Sequence, residues 1–466
     1  SKVMRKRITA LTMAGVMTAA LLSGCSGGNS TSNTTAGGAA DTTGAEAAQT
    51  TAGGTEAAAG EKVEITYWDQ NADTKRTEIF NKLIADFEAE NPNITVKLVP
   101  VPADQAKSKY DVAIQSHTAP DCGGVSQYWM SDFLIQDALV PLDDYIAGWD
   151  QKDKTLSEFD ESIRSMAPDG KMYGLAHMVT VPVVWYNTEL MNKSGCEIPE
   201  DWDGVFDCVE KMTDKANGVY GFSIRGGAGS SQQFEQMMYQ YSGQLDMFDE
   251  NGNSTANDPA HVELLEKFAS IYNVYTPESD ITNAVAEMNA AFDSGSAGMI
   301  FHNLGSYGQH VQTLGEDGFA GLVRLNAANG TRTIVSNGAM CLSVFKDSKH
   351  PAEAFKFVSF LAQHEACSYI SEQIGQIPCN KEALEDEWVQ KAGPIKEAAD
   401  ALLDSSTTVT TLPINVIGYY DLHQNTLVEG FQNVLLGNMS AQEYLDNWAS
   451  EMTRLKSEYD QYLQTK

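Results

Sequence analysis

Two clusters of planar polar and aromatic side chains stand where strands are expected to end. Asp69, Gln70 and Asn71 follow the alternating run 63–68, and Gln127, Tyr128 and Trp129 follow the short apolar run 120–125. Carboxylate and carboxamide groups at such positions can hydrogen-bond a ligand, and the rings can stack on its apolar faces. In α/β sheets ligands gather at the carboxyl ends of strands, which is where all six residues fall. Trp68, one residue earlier, suits core packing as well as it suits ligand contact.

Other reactive chemistries find less support. Arg225, Gly226 and the glycine-rich stretch to Ser230 look like an anion cradle, but the Lys-Ser/Thr ending of a nucleotide-binding loop is missing. A backbone loop approaching a ligand, with Arg225 as a donor, is the better reading. The eight histidines are scattered without metal-site spacing. Asp249, Asn251 and Asn253 have the alternation of a calcium loop, but Ser254 stands where the essential glycine belongs, so a turn is expected. Neither Asp143/Asp144 nor Asp201/Asp203 forms a catalytic carboxylate pair, because each reads as a helix cap. No cofactor and no metal are expected. Of the seven cysteines, those after Cys25 are expected to be mostly buried thiols, with Cys196–Cys208 the nearest pair if a bridge forms.

The elements that would position these residues alternate between strand and helix. Strands are expected over 63–68, 94–99 and 120–125, with helical spacing of Ile79, Phe80, Leu83, Ile84 and Phe87 between the first two. This order argues an α/β fold with parallel strands. Two apolar runs, 171–177 and 179–186, follow almost without a break, and Pro182 marks a bend or edge inside the second. Asn187 reads as a helix N-cap and Gly195 as the residue ending that helix. Helices are expected over 202–212, 233–241, 261–272, 283–292, 352–362, 422–436 and 441–462. Strands are expected over 220–224, 298–303, 333–335 and 339–345.

The chain has 466 residues and a formal charge of −32, so at least two domains are expected and nucleic acid is excluded as the main partner. Residues 1–24 combine the basic Arg5, Lys6 and Arg7 with a short apolar run ending in Leu22-Ser23-Gly24-Cys25. This resembles the lipobox of bacterial lipoproteins, which implies cleavage after 24 and lipidation of Cys25. Residues 25–60 are rich in Gly, Ala, Thr and Ser, lack aromatics and read as a flexible tether.

With these pieces in order, the chain resembles the extracellular solute-binding proteins of ABC importers, the carbohydrate-binding type that includes the maltodextrin-binding proteins. The resemblance rests on ITYWD at 65–69, SQYW at 126–129, LVPLDDYI at 139–146, GKMYGL at 170–175 and VVWYNTELM at 183–191. FDSGSAGMIFHN at 292–303 and SNGAMCLSVFKDSKHPAEAFKFVSFLA at 336–362 complete it. It implies an α/β, bilobed periplasmic-binding-protein-like fold, two lobes joined by a three-strand hinge with a ligand cleft between. The implied lobes are residues 62–178 plus 331–370 and residues 179–330 plus 371–466, with crossings near 177–181, 322–332 and 362–374. His177 and Thr180 would then lie at the first crossing. Asn303 and Tyr307 match a segment that carries a stacking aromatic, Asn337-Gly338 a cleft loop, and Tyr419-Tyr420 a late aromatic position with one ring toward ligand and one toward the core. Trp185 is expected to pack inside the second lobe. The implied function is capture of a carbohydrate, held at the extracytoplasmic face of the cell membrane by the lipid, and delivery to the ABC transporter permease by a non-enzymatic monomer. A lipid-anchored glycoside hydrolase, or the same fold with a peptide, polyamine or metal ligand, are the competing readings.

Overall fold

The computed structural model describes residues 60–391 and 393–466, so the expected leader, Cys25 and nearly all of the tether lie outside the described residues. The first strand, β1 (Val63–Asp69), buries Val63, Ile65 and Tyr67 on one face and lies parallel to β2 (Ile94–Pro100) and β3 (Cys122–Ser126). Between β1 and β2, the helix Thr74–Glu90 starts where the Asp73 carboxylate accepts the Arg76 N–H at 2.7 Å. Its buried face is the one expected, Ile79, Phe80, Leu83, Ile84 and Phe87.

Three antiparallel strands complete this sheet: β4 (Leu175–Val179), β10 (Met340–Val344) and β11 (Ile377–Pro378), in the order β11-β4-β10-β3-β1-β2. The sheet is therefore mixed, and only its first three strands have the expected parallel arrangement. A second sheet has the order β6-β7-β5-β8, formed by β5 (Pro182–Asn187), β6 (Tyr220–Phe222), β7 (Ala297–Asn303) and β8 (Phe319–Leu322). A two-stranded parallel ribbon pairs β9 (Arg332–Ser336) with β12 (Thr407–Thr411).

The chain passes between the two sheets three times. The first passage is Thr180-Val181, between β4 and β5, inside the expected window. The strands break there and not at Met178 because Leu175 must pair with Leu342 while Pro182 pairs with Asn303. As the first residue of β5, Pro182 sits at an end of the ladder and not in the middle of its run. The second passage lies at Asn337-Gly338-Ala339, later than 322–332, since Gln236 Nε2 ties Val335 to the helix Ser230–Ser242 at 3.0 Å. The third follows β11, later than 362–374, because Ile377 and Pro378 pair with Val179 and Met178 in the first sheet.

Local signals are largely met. Asn187 caps its helix through Leu190 N–H at 2.9 Å, Gly195 closes it with φ +70°, and Asp201 caps Trp202–Met212. Asp143 departs from expectation. It is the first residue of its helix, and its carboxylate binds Arg164 at 2.7 Å and the Met172 N–H at 2.9 Å instead of capping. The expected helix over 422–436 is two, Tyr419–Gln424 and Thr426–Leu435, broken at Asn425. Asp249 accepts the N–H groups of Asn251 and Asn253 at 2.9 Å each, the geometry of a turn.

Cys122, Cys341, Cys367 and Cys379 are buried thiols, and Cys196–Cys208 forms a disulfide with Cα atoms 5.7 Å apart. The bridge closes a loop of sequence separation 12, so it restricts the unfolded chain by about 2–4 kcal/mol. Reductant, or the double change Cys196→Ser/Cys208→Ser, is expected to lower the thermal midpoint accordingly. Calorimetry with and without reductant checks this, and an unchanged midpoint refutes it.

Candidate functional site

A pocket of about 240 Å³ lies where the loops of the first sheet meet the passages. Gln70 and Asn71 reach it from the end of β1, and Ser126, Tyr128 and Trp129 from the end of β3. Thr180, Asn337, Gly338, Ala339, Met340 and Gln376 supply its floor. Of the six strand-end residues, Gln70, Asn71, Tyr128 and Trp129 line this pocket, and Asp69 and Gln127 do not.

Asp69 is fully buried, and both its oxygens are taken by Arg76, at 2.7 and 3.2 Å. It fastens the end of β1 to the first turn of the following helix. Gln70 lies over Gly124, where an added Cβ would meet its Oε1 at 1.9 Å. Gln127 is also fully buried. Its Oε1 accepts the Ala339 N–H at 2.8 Å and its Nε2 donates to Ser162 Oγ at 2.7 Å, so it shapes the floor from behind.

Tyr128 stacks on Tyr420 with centroids 5.8 Å apart and planes 17° from parallel. Tyr128 follows β3, whereas Tyr420 is anchored to the other lobe through its helix. There Tyr419 is buried, with its hydroxyl on Glu235 Oε1 at 2.6 Å, and His423 Nδ1 meets Ser231 Oγ at 2.8 Å. Tyr419 is thus a core residue, and Tyr420 stacks on Tyr128 without lining the pocket. Trp129 sits edge-on to Tyr128 at 5.8 Å, and among the described residues its Nε1 has no partner. Ser131 Oγ adds a second link across the cleft by donating to Asn415 O at 3.2 Å.

Thr180 Oγ1 accepts the Leu304 N–H at 3.0 Å, which holds the polar loop after β7 against the passage. Asn303, in that loop, turns its side chain back on the Gly305 N–H at 2.8 Å, and Tyr307 stacks on Trp185 at 6.2 Å; neither lines the pocket. Trp185 packs inside the second lobe with no exposure. Gly226 is buried against Asp280 O, where a Cβ would approach to 2.4 Å. Arg225, in the same loop, does not line the pocket, and burial lowers its guanidinium to about 10, partly offset by the nearby Tyr128.

Ala103, Ser126, Ala339, Met340 and Gln376 complete the pocket without having been expected. The one signal for Gln376 was Gly375, which ends the helix His364–Ile374 at φ +78° and turns the next residue toward the cleft. No group of three or more His, Cys, Asp and Glu among the described residues is placed to hold a metal.

Gly338 adopts φ +95°, and a Cβ there would lie 2.8 Å from Gln127 Cβ and from Ile414 Cδ1. Gly338→Ala is expected to cost about 1–3 kcal/mol of stability and to shift the floor, read as a lower thermal midpoint. His177 is 3% exposed behind the first passage, and burial, with Arg76 adding repulsion, lowers it from 6.5 to about 3. The unfolded ring takes up a proton below its ordinary value and the folded ring only near 3, so stability is full above 6.5 and declines as pH falls toward 3. His177→Gln should flatten that decline by about one proton per molecule, measured by urea unfolding across the window.

Compared with known proteins, the chain is 27% identical over 380 residues to a protein of Brucella abortus named as a binding protein, covering 77% of this chain and 85% of that one. It is 27% identical over 210 residues to the arabinooligosaccharide-binding protein of Halalkalibacterium halodurans, 44% of each chain. The GacH receptor of Streptomyces glaucescens, solved unliganded and with acarbose, shares the fold with a TM-score of 0.72 at 22% identity, over 85% of this chain and 99% of that one. The fold is the two-lobed periplasmic-binding-protein type, and the pocket is lined by the first lobe and the passages. Residues 71–366 match the bacterial extracellular solute-binding protein family, and the chain belongs to that family.

Proposed function

We propose that the chain captures an oligosaccharide outside the cell and passes it to the permease of an ABC transporter. The observation that carries this reading is the pocket lining. It sets the carboxamides of Gln70, Asn71, Asn337 and Gln376 and the hydroxyls of Ser126 and Thr180 beside the rings of Tyr128 and Trp129. A sugar presents many hydroxyls and apolar ring faces, and these two kinds of group match them. The arabinooligosaccharide-binding relative is in keeping with this ligand class.

The role is binding and not hydrolysis. A glycosidase needs two carboxylates flanking the bond, and among the described residues no carboxylate lines the pocket. Asn71, Tyr128, Trp129, Thr180, Asn337 and Tyr420 are the ligand contacts we assign, with Gln127 and His177 supporting the floor. In the same reading Cys25 carries the lipid, residues 26–60 are the tether at the extracytoplasmic face, and the protein acts as a monomer. The lobes meet at the three passages, so residues up to 179 and from 339 through β11 form one, and most of the remainder forms the other.

Titration with mono- and oligosaccharides, followed by tryptophan fluorescence and calorimetry, tests the proposal. Saturable binding of at least one sugar is expected, weakened about tenfold in Tyr128→Ala. Silence across a broad panel, or release of reducing sugar from any member, refutes it.

A further inference from the structure

Arg225 differs from the other cations beside the cleft. Arg76 is paired with Asp69, and Lys107 with Asp111 and Asp132. Arg225 donates from Nε to Ala228 O at 2.7 Å and from Nη1 to Gln233 Oε1 at 3.4 Å, and both acceptors are neutral. Among the described residues no carboxylate forms an ion pair with it, and the titratable groups that feel its charge are Tyr128, across the cleft, and His302. A guanidinium has five N–H donors, so three remain for a ligand.

Gly229, at φ +81°, leaves the guanidinium its space, since a Cβ there would sit 2.0 Å from Nη2. The helix Ser230–Ser242 begins at once behind it with no side-chain cap, so the positive end of its dipole lies at the same place. Ser230 Oγ, 1% exposed, has no partner among the described residues and shares with Arg225 a void of about 10 Å³ whose other walls are mostly apolar, Phe222, Phe234 and Phe268 among them. Holding a half-buried cation without a counter-charge costs stability, and a ligand that brings the charge recovers it. In a chain of formal charge −32, the pocket lining contains no acid at all.

We propose that the ligand is an acidic sugar whose anionic group seats on the free N–H groups of Arg225 while its neutral rings occupy the pocket. This rests on the sugar reading above and narrows it. A uronate carboxylate suits the planar fork as a bidentate partner, and a sugar phosphate offers the same charge in tetrahedral form.

Calorimetry on the purified protein with two matched pairs tests this: digalacturonate against galactobiose, and glucose 6-phosphate against glucose. The charged member of at least one pair is expected to bind about tenfold or more tightly, and the pair that responds identifies the anion. That ratio should shrink with added salt, collapse in Arg225→Gln and largely persist in Arg225→Lys, with thermal midpoints confirming that both variants fold. Equal affinity within both pairs, or a preference unchanged in Arg225→Gln, overturns the acidic-sugar inference and leaves sugar capture standing. If none of the four compounds binds and a wider sugar panel is also silent, sugar capture fails and this inference fails with it.

Discussion

Two residues, Thr180 and Val181, separate a strand of one sheet from a strand of the other, and most of the site follows from that constraint. β4 is held by β10 and β11, and β5 by β7 and β8, so neither strand can slide without breaking a ladder. The peptides between them must therefore run at the junction of two lobes, where no strand neighbour is available. Their polar groups need other partners. Thr180 meets this with its hydroxyl, which takes the Leu304 N–H and draws the loop after β7 to the passage. The second passage is treated similarly by Gln127, whose buried amide satisfies Ala339 from behind. The cleft floor is thus a by-product of backbone accounting at the crossings.

The walls depend on longer connections. Tyr420 reaches Tyr128 because its helix is fixed by a buried chain of contacts: Ser231 to His423 at 2.8 Å, His423 to Glu235 at 3.5 Å, and Glu235 to Tyr419 at 2.6 Å. Serine, histidine and glutamate in sequence have the composition of a hydrolytic relay. Here Ser231, His423 and Glu235 are 0%, 3% and 1% exposed, and no substrate can approach the hydroxyl. The same groups that would be chemistry at a surface are scaffolding in a core. They hold an aromatic ring against the opposite lobe.

Charge is distributed with a similar economy. The chain as a whole carries a formal charge of −32. Acids near the cleft are neutralised where they stand, Asp69 by Arg76 and Asp132 by Lys107. What remains facing the pocket is neutral and hydrogen-bonding, with Arg225 at its margin. A site of this kind selects by matching hydroxyls and ring faces, since a mismatched ligand leaves buried amides unpaired.

Local features of the fold were legible in the sequence because they depend on a few neighbouring residues. The Asn187 cap, the Gly195 termination, the amphipathic face from Ile79 to Phe87 and the strand ends at Asp69 and Ser126 are all decided within one or two turns of chain. The two-lobed fold was implied only by the resemblance of the ordered motifs to the solute-binding family. The sequence could not separate neighbours of like chemistry. Asp69 and Gln70 are adjacent, yet one is consumed by Arg76 and the other lines the pocket. Tyr419 and Tyr420 are adjacent, yet one is core and the other stacks across the cleft. Gln376 and Met340 joined the site only because β11 and β10 flank β4 in the same sheet. Composition and spacing determined which side chains were available for binding. Which of them kept a free donor or an open ring face was decided by partners far away in the chain, and only the tertiary structure brings those partners into contact.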